Sequence, residues 1–122
     1  MQDNTEDKVP QYRAVHKFAT ISAQKVRVFA DLIRGKYADE AMTLLECYPN
    51  RGARMLGKVL KSAMYNAIND AANPVSEEND LVVAEVRVDE GPMQRRWRAG
   101  SRGVSVGIKI RSSHIHVVLE QR

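Results

Sequence analysis

Apolar residues along the first half of the chain fall at helical spacing. Val26, Phe29, Ala30 and Ile33 follow the i, i+3, i+4, i+7 rule, and Leu32 widens the stripe. Ser22 stands where an N-cap is wanted, and Gly35 where a left-handed residue closes a helix. A second helix is predicted from about Ala38 to Tyr48. Asp39 and Glu40 occupy its first turn, Ala41, Leu44, Leu45 and Tyr48 form its inner stripe, and Pro49 stops it. Asn50 can cap a third, longer helix running to about Asn73. Its buried face is Leu56, Val59, Leu60, Ala63 and Ala67, and Arg51, Arg54, Lys58 and Lys61 line up on a polar face. Asn73-Pro74 then opens a polar loop to Asp80.

Beyond that loop the period changes from helical to alternating. Ala84, Val86 and Val88 alternate with Glu85, Arg87 and Asp89. Val104, Val106, Ile108 and Ile110 alternate with Ser105, Gly107, Lys109 and Arg111. The phase then flips at Ser112-Ser113, after which Ile115, Val117 and Leu119 are the apolar positions and His114 and His116 lie opposite. A bulge or strong twist there would let one strand present different faces at its two ends. The expected result is a long two-stranded hairpin whose base joins a sheet and whose basic end projects beyond it. Near the N-terminus, Val9 to Ala19 mixes apolar and basic residues, and with Pro10 removing a ladder donor it suits an extended arm or an edge strand.

Charge sharpens this picture. The net charge is +4, yet residues 91–122 hold seven basic residues and one acid, and no carboxylate occurs from Gly91 to Leu119. A compact domain normally intersperses its charges, so this segment is built to face an anion. At 122 residues one domain is the expectation: an acidic disordered tail over 1–8, then a single domain over 9–122 with 91–110 as the arm. With 43% hydrophobic and 28% charged residues the composition is that of a soluble globular protein, and no apolar run approaches the roughly 20 residues of a membrane span. The polar, acidic start resembles neither a signal nor a transit peptide. Cys47 is the sole cysteine, which excludes an internal disulfide and fits a reducing, cytoplasmic setting.

The sharpest chemical signal is Arg95-Arg96-Trp97-Arg98, with Arg102, Lys109 and Arg111 behind it. Guanidinium groups match phosphate oxygens with a bidentate fork, and the indole offers a flat face to a base or ribose. Lys17 near the first strand and Lys58 and Lys61 on the third helix extend the phosphate-facing set. Other chemistries fare worse. Ser22 and Lys25 match the S-x-x-K spacing of serine acyl-enzymes, but no partner motif or oxyanion hole accompanies them, and helix capping explains Ser22. Asp89 and Glu90 are adjacent on a strand and point to opposite faces. His114 and His116 share a face, yet two imidazoles without a third ligand make a poor metal site, and RNA or sheet-surface contact suits them better. No catalytic residue, metal or cofactor is expected.

Five segments, in order, also carry a resemblance: Ile21-Ser-Ala-Gln-Lys-Val-Arg27, Asp31-Leu-Ile-Arg-Gly-Lys36, Lys58-Val-Leu-Lys-Ser-Ala63 with Asn66-Ala67, Val88-Asp-Glu-Gly-Pro92, and Arg111-Ser-Ser-His-Ile-His-Val-Val118. Over about residues 12–120 the chain resembles the bacterial-type large-subunit ribosomal protein L-twenty-two family. The resemblance implies an α+β fold, three helices packed on a small three-stranded antiparallel sheet with a long projecting β-hairpin. It implies binding to large-subunit ribosomal RNA, support of subunit assembly, neighbouring ribosomal proteins as partners, and a hairpin tip that lines the polypeptide exit tunnel beside the nascent chain. The protein would be a monomer within the ribosome, with no membrane partner. Matched residue by residue, the RNA-facing positions are Ser22, Lys25, Arg27, Lys36, Lys58, Arg95, Arg96, Arg111, Ser113 and His114. The chain departs from the family at Thr20, commonly arginine, and at Ala99, Gly100, Val104 and Gly107, where a Pro-Arg pair and further arginines are usual. Trp97 and Arg98 replace commonly apolar positions, so the tip is less basic than the family norm. A DNA-bending architectural protein with basic β-arms is the rival reading.

Overall fold

A computed structural model describes residues 10–70 and 81–121. The expected acidic tail over 1–8 and the whole of the polar loop expected from Asn73-Pro74 to Asp80 lie outside the described residues. The elements run β1 (Gln11–Ala19), α1 (Ala23–Ile33), α2 (Ala38–Glu46), α3 (Arg51–Ile68), β2 (Leu81–Glu90), β3 (Gln94–Ala99), a 3-10 turn (Ser101–Gly103), β4 (Ser105–Ile110) and β5 (Ser113–Gln121). β1, β5 and β2 form an antiparallel sheet in that order, and β3 and β4 form a separate antiparallel pair. The α+β architecture and the three helices are as expected, and β1 is an edge strand as read. Among the described residues no helix is long and apolar enough to cross a membrane.

The core forms where the helical stripes meet one sheet face. Val26 and Ile33 of α1, Leu56 and Leu60 of α3, and Ile115, Val117 and Leu119 of β5 are all fully buried. The other sheet face holds Arg13, Val15, Glu85, Arg87 and His116, cross-strand neighbours in the two ladders. Two predicted stripes are narrower than expected. Leu32 stays exposed. The second helix ends at Glu46, so Tyr48 leaves the inner stripe, and its ring instead lies 5.4 Å from that of Phe29. The third helix stops at Ile68, with Asn69 as its C-cap.

Strand phase shows two differences from the sequence reading. In β2, Ala84 is exposed rather than inward, because the register to β5 shifts between Val83 and Glu85 and resets the alternation. The phase flip at Ser112-Ser113 is no bulge within one strand. It marks the break between β4, exposed throughout, and β5, which enters the core.

The open edge of β2 is closed from α1 and the turn after it. Gly35, left-handed at φ +83°, donates its N–H to the Val83 carbonyl at 2.9 Å, and the Val83 N–H reaches the Lys36 carbonyl at 2.8 Å. Arg34 donates to the Val86 carbonyl at 2.7 Å, and Arg27 donates twice to that of Val88, at 3.1 and 2.9 Å. Edge groups that would otherwise invite another strand are thereby occupied.

Candidate nucleic-acid interface

The arm is built by β3 and β4, and its register sorts the side chains. Cross-strand partners share a face. Arg96 opposes Ile108 and Arg98 opposes Val106, so one face sets two arginines beside an aliphatic column. On the other face Arg95 opposes Lys109 and Trp97 opposes Gly107. Two like charges directly opposite each other are unfavourable until an anion lies between them. The Trp97 ring lies over Gly107, close enough that a Cβ there would sit 3.5 Å from it. One ring face thus covers a bare stretch of backbone, as aromatic residues do beside strand glycines, and the side chain remains 69% exposed.

Every residue of β3 and β4 is exposed. The Arg96 guanidinium donates to the Gln94 side chain at 3.0 Å and to the Arg95 carbonyl at 3.1 Å, which holds it extended along the strand. The tip closes through a 2.6 Å bond from the Gly100 N–H to the Val104 carbonyl, with Arg102 and Gly103 in left-handed backbone at φ +57° and +73°. Among the described residues the ion pairs involve Arg34, Arg87 and His116, and none involves an arm cation.

Where the arm leaves the sheet, a groove of about 730 Å³ opens between its root and the N-terminal ends of α1 and α3. Lys25 and Arg51 stand on the helical side, Lys109 and Arg111 on the arm side, and none of the described residues that line it is acidic. Ser22 and Asn50 occupy the N-cap positions, and neither side chain caps its helix, in contrast to the capping read from the sequence. The positive ends of both helix dipoles are therefore open here. Thr20 accepts a hydrogen bond from the Arg51 guanidinium at 2.6 Å. Gly52 lets α3 approach α1 closely, since a Cβ at that position would meet the Lys25 carbonyl oxygen at 2.8 Å. The sequence marks Ser22, Lys25, Lys109 and Arg111 individually as contacts, and Arg51 only through the basic stripe on α3.

Lys17 and Lys58 meet at a second, shallower groove between β1 and α3. Lys61 points outward, its ammonium 5.8 Å from the centre of the Tyr65 ring, and Lys36 is exposed after α1. His114 and His116 are half-buried on the open sheet face. The His114 Nδ1 accepts the Phe18 N–H at 3.1 Å, and the His116 Nε2 lies 3.6 Å from the Asp89 carboxylate. Phe18 itself sits where β1 slips register, in left-handed backbone at φ +58°, with its ring exposed and edge-on to His114. Arg27 is exposed, yet its guanidinium is engaged with the β2 edge. Ser113 is corrected outright. It is fully buried, and its hydroxyl finds no partner among the described residues, so it belongs to the core and not to a contact surface.

With this geometry in place, comparison with known proteins is informative. The family described as ribosomal protein L22p/L17e matches residues 14–120. Large ribosomal subunit protein uL22 of Rhodopirellula baltica is 52% identical over 111 residues, which cover 89% of this chain and 93% of that protein. The protein of the same name from Syntrophus aciditrophicus is 44% identical over 110 residues, covering 90% and 97%. That of Caldicellulosiruptor saccharolyticus is 42% identical over 119 residues, covering 98% and 95%.

Proposed function

The chain belongs to the ribosomal protein L22p/L17e family, and on that premise we propose that its arm and basic helix face bind large-subunit ribosomal RNA. It is a structural, non-enzymatic protein of the large subunit of the cytoplasmic ribosome. The observation that carries the RNA reading is the acid-free run of cations on β3 and β4, all exposed and none paired with a carboxylate among the described residues. Each lysine or arginine that meets a phosphate releases condensed counterions, and this release supplies affinity. An isolated two-stranded hairpin is marginal in water. RNA packed around the arm would cover Val106, Ile108 and Ile110 and complete its order, while RNA shape would set specificity.

The contacts proposed are Lys17, Ser22, Lys25, Arg27, Lys36, Lys58, Lys61, Arg95, Arg96, Trp97, Arg98, Arg102, Lys109, Arg111, His114 and His116. The tip around Arg102 lines the polypeptide exit tunnel beside the nascent chain, and the folded base rests among neighbouring ribosomal proteins as a monomer that supports subunit assembly. Filter binding to in-vitro transcribed large-subunit RNA across a salt series tests the reading. Steep weakening with salt is expected, with duplex DNA competing poorly. Equal competition by duplex DNA would favour an architectural DNA-binding role instead.

A further inference from the structure

Only a short root ties the arm to the base. The β2–β5 ladder ends at the pair Glu90 and Ser113, and the β3–β4 ladder begins at Gln94 and Ile110. Three residues separate the ladders on one strand and two on the other. Such a mismatch interrupts the ladder and bends the ribbon locally. Among the described residues the root is held by hydrogen bonds from the Gly91 N–H to the Ser112 carbonyl at 2.9 Å and from the Ser112 hydroxyl to the Pro92 carbonyl at 2.7 Å. Both lie within the root, so neither ties the arm to the helices.

The basic groove opens at this root, and its two walls belong to different parts of the molecule. Lys25 and Arg51 are fixed on the base, where Thr20 holds the Arg51 guanidinium and the close packing at Gly52 sets the two helix ends together. Lys109 and Arg111 travel with the arm. Without an anion the two walls carry like charge and repel. With an anion between them both are attracted to it, and the open helix N-termini add to that attraction.

We propose that this groove seats a backbone phosphate of the bound RNA, and that the seated phosphate locks the direction of the arm relative to the base. The inference rests on the ribosomal RNA reading and adds a coupling to it: one contact site fixes the geometry of all the others. A phosphodiester suits the groove better than a protein carboxylate, because the acid-free surface continues from the groove along the arm. A polyanion can follow it, and a single carboxylate cannot.

The native Cys47 is exposed at the end of α2 and does not line the groove, and with Ser101→Cys at the tip it gives a pair of spin-label sites. Pulsed electron-paramagnetic resonance then reads the distance between base and tip, alone and with in-vitro transcribed large-subunit RNA at saturation. The expected result is a broad distribution that RNA narrows. In the Lys25→Ala/Arg51→Ala protein the log–log salt slope of binding falls by about one to two, and saturating RNA leaves the distribution broad. In the Arg54→Ala/Lys61→Ala protein, which loses equal charge outside the groove, binding weakens similarly but narrowing persists. A narrow distribution without RNA, or full narrowing in the Lys25→Ala/Arg51→Ala protein, overturns the lock. Failure of the unaltered protein to bind the RNA at all would overturn the functional reading, an outcome that the binding curve shows separately.

Discussion

β4 and β5 follow each other with only Arg111 and Ser112 between them, and both alternate apolar with polar residues, yet they end in opposite environments. In β5, Ile115, Val117 and Leu119 are fully buried under the helices. In β4, Val106, Ile108 and Ile110 remain exposed. The difference lies in the covering layer, since α1 and α3 pack over the sheet, whereas among the described residues every position of β3 and β4 stays exposed. Charge divides the same way. In the base, Arg34 binds Asp31 and a β2 carbonyl, Arg27 binds another, and Arg87 lies between Glu85 and Asp89. In the arm the cations face outward without acids. The base is stabilised by its own burial, and the arm is constructed for burial against something else.

The largest effects separate the two regions by stability. Leu60→Ala should cost about 2–5 kcal/mol of unfolding free energy in a denaturant titration, whereas Ile108→Ala should stay within about 0.5 kcal/mol. Comparable losses would mean that the free arm is packed. Next, Arg95→Ala/Arg96→Ala/Arg98→Ala should flatten the log–log salt slope of RNA binding by about 3 and leave the melting temperature nearly unchanged. An unaltered slope would move the electrostatic contact to the base. Gly52→Ala should cost about 1–3 kcal/mol, because the new methyl meets the Lys25 carbonyl and forces α1 and α3 apart. It should also weaken RNA binding by distorting the groove, so a thermal melt and a binding curve measured together should move in step.

The smallest effect concerns the base alone. Burial, with a lesser contribution from Asp70, holds the Tyr12 hydroxyl above the ordinary tyrosine pKa of 10.0. Below pH 10 this group is protonated whether the chain is folded or not. Above it the unfolded chain ionises first, so stability falls as pH rises. Tyr12→Phe should remove that part of the alkaline decline in a series of melts.

Periodicity made the helices and strands legible, because a 3.6- or 2-residue repeat is the imprint of one buried face. The acid-free window made the arm legible as a charged segment. What the sequence hid was tertiary. Ala84 fits the alternation perfectly, and only the register slip against β5 turns it outward. Ser113 looks like a polar contact residue, and only its place under the helices shows it to be buried. Arg27 and Arg51 are both helix-borne arginines in the sequence, yet the first donates to the Val88 carbonyl of β2 and the second borders a groove made from three separate segments. Phe18 had no local mark at all, since its left-handed backbone arises from the slip between β1 and β5.

The contrast between base and arm is tested most directly by hydrogen exchange of the amides, residue by residue, in the free protein and on large-subunit RNA. In the free protein, amides of β5 and α3 should exchange only on global unfolding, while the paired amides of β3 and β4 exchange close to the rate of an unstructured chain. On RNA the arm amides should slow strongly and those of the core change little. Arm protection equal to that of β5 without RNA would contradict the account, as would an arm that exchanges equally fast in both states.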